Sequence, residues 1–338
     1  MDCKTFNPAS LFFIIFSSMF LIHSQPDALY YGKSDGPLSY SFYARSCPQL
    51  AMIVSRGVWA AFQNDNRIGA SLLRLHFHDC FVDGCEGSVL LDDTKEFKGE
   101  KNAGPNRNSV RGFDVIDNIK AELEKCCPST VSCVDILTLA ARDAVFLSGG
   151  PFWPVSLGRL DGFTASEKSA NEQLPSPFEH LDAITAKFVA KGLDMKDMVV
   201  LSGGHTIGFA QCFTFKRRLF DFKSTGKPDP SLDSSFLTNL QGACPNVAKS
   251  NSNLNPLDFQ SIYRFDNLYF KNLVNNTGLL ESDQALLGDP KTAALVKDYS
   301  RDPFLFAKDF AASMMKLGNI GVLTGQAGQI RKKCGSVN

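Results

Sequence analysis

The sequence predicts a mainly α-helical protein. Apolar side chains recur at helical spacing at Phe113, Ile116, Ile119 and Leu123, and this spacing places them on one face of a helix. Strand signals are sparse, the best being residues 152–157. Because the chain lacks the regular strand–helix alternation of a nucleotide-binding fold, we expect helices around a shared core with minimal β structure.

The helices can be placed in order from their start and stop signals. Pro48 opens a first helix that runs to about Gln63, since proline is favoured in the first turn. A second covers 72–80, a third contains Phe113 to Leu123, and a fourth runs over 133–147 and ends before paired glycines. Further helices are predicted at 180–191, 195–203, 212–221, 232–243, 266–274, 290–299 and 303–317.

The size and charge of the chain limit its function. It has 338 residues, with 35 basic and 35 acidic side chains, so it is long enough for a substantial core. The zero formal net charge and the absence of a long basic run argue against a nucleic-acid or anionic-membrane partner.

The N-terminus predicts export. An apolar block at 11–22 follows Lys4 and is too short to span a bilayer, as in a secretory signal. We expect residues 1–24 to be the signal peptide, 25–38 an extended arm, and 39–338 a single domain. A glycosylation sequon at Asn275 suits the same route.

Nine cysteines remain once Cys3 leaves with the signal. In an exported chain they are expected to form disulfides rather than a metal site. The odd number requires one leftover thiol or an intermolecular bridge.

Arg74 and His78 form the first chemical motif. They are four residues apart on a predicted helix, so they share a face, with Phe77 beside them. A base and a fixed cation aimed at one volume suit the splitting of a polar bond such as the O–O bond of a peroxide. The alternative is an amphipathic helix with a structural histidine. His76, two residues from His78, lies on another side of the helix.

His205 follows two glycines after an apolar helical run. The glycines would let the backbone approach a flat or bulky group, and a neutral imidazole there can ligate haem iron. A structural histidine near a helix end is the alternative. A three-histidine zinc site would need both His76 and His78 to turn inward, which a helix forbids.

Together these motifs give the chain its family resemblance. From about Phe42 onward it resembles the plant secretory (class III) haem peroxidases. The ordered motifs are FYARSCP (42–48), RLHFHDC (74–80), TVSC (130–133), GRLD (158–161), LPSP (174–177), LSGGHT (201–206), FDN (265–267) and SDQ (282–284). The resemblance implies a haem-peroxidase fold in which distal and proximal helical halves enclose one haem b.

The resemblance also implies the roles of the site residues. His78 would accept a proton from hydrogen peroxide and return it to the departing oxygen, while Arg74 stabilises the developing charge. Asn106 would hold His78, with Glu100 at the acidic end of that network. His205 would ligate the iron, and Asp283 would accept its N–H and make it a stronger donor.

Two calcium ions are implied as well, because hard oxygen ligands of this density suit calcium. The first set is Asp79, Val82 (carbonyl), Gly84, Glu86 and Ser88, where Glu86 replaces the usual aspartate. The second set is Thr206, Asp258, Ser261, Arg264 (carbonyl) and Asp266, where Ser261 replaces the commoner threonine.

The same resemblance implies the disulfides Cys47–Cys127, Cys80–Cys85, Cys133–Cys334 and Cys212–Cys244. Cys126 is left over, either as a buried free thiol or as a competitor of Cys127 for Cys47.

The substrates implied are hydrogen peroxide and small phenolic donors, oxidised in one-electron steps. Pro175 would lie at the exposed haem edge, where Phe178 could stack on a donor. We expect a monomer in the apoplast or cell wall. Two alternatives remain: a haem- and calcium-containing wall-binding protein, and a zinc hydrolase on another fold.

Overall fold

The structure, a computed structural model, describes residues 37–338. The predicted signal peptide and nearly all of the predicted arm lie outside this range. The prediction of a mainly helical protein is confirmed. The α-helices in the described range are α1 (Leu50–Asn64), α2 (Ile68–Phe81), α3 (Phe113–Cys126), α4 (Cys133–Leu147), α5 (Glu167–Gln173), α6 (Leu181–Ala190), α7 (Met195–Ser202), α8 (Lys216–Phe220), α9 (Ser234–Ala243), α10 (Leu268–Val274), α11 (Glu281–Gln284), α12 (Pro290–Arg301) and α13 (Pro303–Leu317). Within the same range, no helix has the length and apolar character needed to cross a membrane.

Some helix boundaries differ from the predictions. Pro48 lies in a turn, two residues before α1 begins at Leu50. The predicted helix at 212–221 is a short 3-10 turn, Cys212–Thr214, followed by α8. Helix α5 was not predicted because it is almost wholly polar, with Ala170 its one buried residue.

The strand prediction at 152–157 is wrong. Trp153, Val155 and Leu157 are buried in alternation, but the segment pairs with Ser39 through a single bridge at Leu157. Extended chain without a neighbouring strand gives the same two-residue alternation as a strand, because its side chains also point to opposite sides. The two strands in the described range are β1 (Phe209–Gln211) and β2 (Leu254–Pro256), which pair antiparallel.

The helices form two halves. In the first, α2 packs on α4, and α1 packs on both α3 and α4. In the second, α7 packs on α12 and α13, and α10 packs on α12. Contacts between α2 and α13 join the two halves into one apolar core. A group held between α2, in the first half, and the end of α7, in the second, would therefore contact both halves.

The N-terminus of α4 is fixed by distant residues. Asp161 accepts hydrogen bonds from the backbone N–H groups of Cys133 (3.0 Å), Val134 (2.9 Å) and Arg331 (3.0 Å). A carboxylate at this position satisfies donors that the helix leaves open and complements the helix dipole. The aspartate of the GRLD motif, Asp161, therefore has a structural role in fixing the start of α4.

Four disulfides join cysteines within residues 37–338, and they are the pairs that the resemblance implies: Cys47–Cys127, Cys80–Cys85, Cys133–Cys334 and Cys212–Cys244. Cys47 thus pairs with Cys127 rather than with Cys126. The free-thiol alternative for Cys126 is wrong, because no free cysteine occurs between residues 37 and 338.

Candidate active site

Arg74 and His78 face each other on α2. The guanidinium Nε donates to His78 Nε2 across 3.1 Å, one turn away, as expected for residues four apart. The Phe77 ring lies edge-on to the imidazole at 6.1 Å and stacks on Phe81 at 4.7 Å. This apolar wall restricts the imidazole on one side.

Asn106 fixes the orientation of the imidazole. Its Oδ1 lies 2.5 Å from His78 Nδ1, and its amide Nδ2 donates to the main-chain carbonyl of Glu100 at 2.9 Å. Because that amide nitrogen is used as a donor, Oδ1 must accept from an Nδ1–H, which leaves Nε2 as the basic nitrogen. The network reaches Glu100, as the resemblance implies, but through its main-chain carbonyl, while burial raises the pKa of its carboxyl to about 8.

The charge states of the pair follow from burial. Burial and the neighbouring Arg74 charge lower the pKa of His78 well below its ordinary value, although the bond to Asn106 acts in the opposite direction. Burial lowers the pKa of Arg74 to about 10, so it stays cationic at neutral pH. The pair is therefore a neutral base beside a fixed positive charge.

Two groups that sequence reasoning missed hold Arg74. Its Nη2 donates to the Pro105 carbonyl at 2.7 Å and to the Ser109 hydroxyl at 3.1 Å. Both belong to the segment that carries Asn106. One short loop therefore positions the base and the cation together.

His205 lies in a short 3-10 segment after α7 and is bonded to Asp283. Its Nδ1 is 2.8 Å from Asp283 Oδ1, and the hydroxyl of Tyr269 donates to the same oxygen at 3.0 Å. Burial disfavours the charged imidazole, but the Asp283 charge and hydrogen bond outweigh it and raise the pKa of His205. Burial and the same carboxylate raise the pKa of Tyr269 well above its ordinary value, so its hydroxyl keeps its proton.

The space between the two histidines suits haem. His205 is close enough to Arg74 to feel its charge, yet 42% of its side chain is accessible, so the ring borders an open cleft. A Cβ on Gly204 would lie 3.5 Å from Leu73 of α2 and 3.9 Å from Phe310, which gives the cleft apolar walls. With Nδ1 committed to Asp283, Nε2 is the nitrogen left for a metal.

Gly203 lets the backbone approach flat groups, as predicted of the paired glycines, but these groups are aromatic rings of the protein itself. A Cβ on Gly203 would come within 2.6 Å of the Phe306 ring and 2.8 Å of the Phe270 ring. Gly203 is thus required by the packing of these two rings behind the cleft rather than by a group within it.

Comparisons with known proteins agree with this geometry. The sequence profile of the family described as peroxidase matches residues 54–302. Peroxidase 10 of Arabidopsis thaliana is 65% identical over 300 residues, covering 88% of this chain and 86% of the relative. Peroxidase N of Armoracia rusticana is 52% identical, with 89% and 91% covered. Peroxidase 4 of Vitis vinifera is 50% identical, with 92% and 95% covered.

The chain belongs to the plant class III haem peroxidases. It is therefore an enzyme that reduces hydrogen peroxide with a haem cofactor, and the zinc-hydrolase alternative is rejected. The described residues contain no cluster of three or more His, Cys, Asp or Glu side chains placed to hold a metal.

The first predicted calcium set of this peroxidase lies in the last turn of α2, which contains Asp79, and in the loop that follows. Asp79 accepts from the backbone N–H groups of Gly87 (3.0 Å) and Val89 (3.4 Å). Burial, with contributions from neighbouring carboxylates, raises the pKa of Asp79 and of Glu86 each to about 7. The buried Ser88 hydroxyl makes no hydrogen bond of full geometry within residues 37–338, and its contact with Glu100 opposes the rise that burial causes in the pKa of that carboxyl. An under-bonded hydroxyl and crowded carboxylates fit a hard cation, and two carboxylates are too few to form a cluster of three.

Two contacts of this loop were not predicted. The ammonium group of Lys191, just after α6, donates to the Val82 carbonyl and to Gln173. The Glu86 carboxylate lies where a Cβ on Gly162 would be, with Oε2 2.5 Å from that position. In this conformation the longer side chain at position 86 uses the space that a Cβ at residue 162 would take.

Within the second predicted calcium set, Ser261 contacts both Asp258 and Arg264, and Thr206 contacts Asp266. Asp258 Oδ2 accepts from the Ser261 hydroxyl at 3.1 Å, and the Thr206 hydroxyl lies 3.4 Å from Asp266 Oδ1. The backbone N–H of Arg264 donates to the Ser261 carbonyl at 3.0 Å. Thr206 directly follows His205, so this oxygen-rich loop adjoins the imidazole.

The predicted donor edge and the sequon lie at the surface. Pro175 is half-buried, and Phe178 is exposed with its ring under the Arg217 guanidinium at 4.6 Å. Asn275 is exposed just after α10. His76 is buried near Cys80, and burial and the Arg159 charge lower its pKa to about 3. It stays outside the site, as its helix position predicts.

Proposed function

We propose that Arg74, His78 and Asn106 carry out the peroxide chemistry of this enzyme, and that the electrons come from small phenolic donors. The observation that supports this most directly is the tautomer imposed on His78. Its Nδ1 is bonded to Asn106, and its Nε2 faces the Arg74 guanidinium. A neutral base and a cation thus point at one small volume.

His78 moves the proton. Nε2 accepts it from the peroxide oxygen that stays behind and delivers it to the oxygen that departs as water. The low pKa of His78 keeps the ring neutral and able to accept. By accepting from Nδ1–H, Asn106 leaves Nε2 as the nitrogen that is free to take the proton from peroxide.

Arg74 stabilises the negative charge that develops on the departing oxygen. The bonds to Pro105 and Ser109 hold the guanidinium in place before the reaction, so little reorganisation is needed as the charge appears. Phe77 limits the volume in which peroxide can lie.

Haem, when bound, supplies the redox-active iron for this reaction. His205 would hold it through Nε2, and Asp283 would accept the Nδ1 proton and strengthen the imidazole as a donor. The open face of His205 and the apolar contacts around Gly204 support this assignment.

Two calcium ions would brace the two halves. The first set is Asp79, Val82, Gly84, Glu86 and Ser88. The second is Thr206, Asp258, Ser261, Arg264 and Asp266. Support comes from the neighbouring buried carboxylates of Asp79 and Glu86 at the first and the paired hydroxyls and carboxylates at the second.

Phenolic donors would dock at the edge formed by Pro175 and Phe178. An exposed ring beside a proline gives a flat apolar surface for an aromatic donor. Each peroxide would oxidise two donors by one electron each. We further propose residues 39–338 as one domain, glycosylation at Asn275, and a monomer exported to the apoplast or cell wall after removal of residues 1–24.

The absorption spectrum of the purified haem-containing protein, before and after one equivalent of peroxide, tests the proposal. We expect a rapid spectral change and then oxidation of an added phenol with peroxide. A haem-containing protein with no spectral change and no phenol oxidation would favour the wall-binding alternative.

A further inference from the structure

Asp283 Oδ1 accepts two hydrogen bonds. One comes from Nδ1 of His205 at 2.8 Å, and the other comes from the Tyr269 hydroxyl at 3.0 Å. A carboxylate has no hydrogen to give, so both neighbours must be donors. The three groups come from three elements: the 3-10 segment after α7, α10 and α11.

Tyr269 is held firmly in this position. It is 2% exposed, its ring lies edge-on to His205 at 6.2 Å, and it packs against Phe270 at 5.0 Å. Its hydroxyl therefore cannot exchange Asp283 for water without a rearrangement of the buried core.

Two donors on one oxygen compete for its charge. Hydrogen bonds to an ionised acceptor are strong, and each one draws electron density from the oxygen. The pull of Asp283 on the His205 proton is weaker when Tyr269 also donates. A histidine whose N–H is pulled less strongly is a weaker ligand to iron.

We propose that the Tyr269 hydroxyl is a positioning residue that limits how strongly His205 donates to haem iron, by sharing the Asp283 oxygen that accepts the His205 proton. This inference rests on the proposed assignment of His205 as the iron ligand. It gives Tyr269 a role in setting the reduction potential of the iron, with no contact to haem or substrate.

The variant Tyr269→Phe removes the hydroxyl and keeps the ring. We expect the iron–histidine stretching band in the resonance Raman spectrum of the ferrous protein to shift to higher wavenumber. The midpoint potential of the ferric/ferrous couple should become more negative. Asp283→Asn should shift both quantities in the opposite direction, because an amide attracts the proton less than a carboxylate does.

Tyr299→Phe is the matched control. The buried Tyr299 hydroxyl donates to Asp309 Oδ2 at 3.0 Å, and its ring packs on the same Phe270. This variant loses the same kind of bond from the same aromatic cluster, but Asp309 is not bonded to His205. Like Tyr269→Phe, it should lower the free energy of unfolding. Unlike Tyr269→Phe, it should leave the iron–histidine stretching band and the midpoint potential unchanged.

The outcomes distinguish a failure of the His205 assignment from a failure of the role proposed for Tyr269. If the wild-type ferrous protein shows no iron–histidine band, the assignment of His205 fails. If the band is present but Tyr269→Phe leaves it unmoved or shifts it to lower wavenumber, the role of Tyr269 alone is overturned. If Tyr269→Phe does not fold, 3-fluorotyrosine at position 269 tests the same role, and the expected shift of the iron–histidine band is in the opposite direction. Its more acidic hydroxyl is a stronger donor and should lower the band, and an unmoved or raised band would overturn the role.

Discussion

The guanidinium of Arg74 donates from Nε to Nε2 of His78 across 3.1 Å. This single bond fixes which imidazole nitrogen is the acceptor and places the cation where peroxide would lie. In the proposed reaction, peroxide enters between these two groups, which already contact each other, and both turn part of their hydrogen bonding toward it.

Replacing His78 tests the base. His78→Ala should bind haem normally and react with peroxide roughly 10²–10⁴-fold more slowly, the usual contribution of a positioned proton acceptor. Stopped-flow absorption measures the rate. His180→Ala, at an exposed histidine, is the control and should match the wild type. An unchanged rate in His78→Ala would refute the proposed role.

Replacing Asn106 tests the pH dependence. His78 accepts a proton only when neutral, so the rate should rise with pH through its pKa and stay level above it. The bond to Asn106 raises that pKa, so Asn106→Leu should move the acid limb to lower pH and reduce the plateau, because the tautomer is no longer fixed. Rate–pH profiles measure this, with Asn102→Ala as an exposed control. If the acid limb of the rate–pH profile moved to higher pH in Asn106→Leu, the prediction would be contradicted.

Ser109 tests the positioning of Arg74. Ser109→Ala removes one of the bonds to the guanidinium and should slow the peroxide reaction by about three- to tenfold, as expected for a bond worth about 1 kcal/mol. Ser71→Ala on α2, whose hydroxyl bonds to the Arg67 carbonyl, should have no such effect. If Ser109→Ala slowed the peroxide reaction as much as Arg74→Leu does, Ser109 would have to do more than position the Arg74 guanidinium.

Calcium removal should lower the free energy of unfolding, because an ion bound only to the folded state stabilises it by mass action. The effect is about 2.7 kcal/mol at a hundredfold excess over the dissociation constant. Chemical denaturation with chelator and with excess calcium measures the difference. In Glu86→Gln, the free energy of unfolding should differ less between the calcium-saturated and the chelated protein than in the wild type. The exposed control Glu96→Gln should show the wild-type difference. Indifference of the wild type to exhaustive chelation would contradict both calcium sets.

Lys191 tests competition at the first calcium set. Its ammonium group bonds to the Val82 carbonyl, so Lys191→Met should free that oxygen and tighten calcium binding severalfold by titration calorimetry. Lys187→Met on α6, where the lysine bonds to Leu174 and Glu179 instead, is the control. Weaker binding in Lys191→Met would show that the lysine orders the loop rather than competing with the ion.

The sequence predicted the parts of the site that depend on local spacing. Arg74 and His78 are one helical turn apart, so their shared face follows from helix geometry. His205 and Asp283 are 78 residues apart, and no periodicity brings them together. Their pairing came from the family resemblance. Helix α5 was missed because its residues show no apolar pattern.

The residues that were missed share one property. Ser109, Tyr269 and Lys191 each act through a partner 14 to 109 positions away. Each is an ordinary residue type in an ordinary local context, and only the tertiary fold gives it a specific partner. For a related reason, only the structure shows how Asn106 reaches Glu100, since sequence cannot distinguish a main-chain carbonyl from a carboxylate as the acceptor.

The bond between Cys133 and Cys334 spans 201 residues, and Asp161 and Arg331 meet at the same helix end. The first turn of α4, at the centre of the first half, is therefore completed by residues that lie far along the chain, beyond the whole second half. The first half cannot close this helix end by itself, so the two halves do not fold independently of one another.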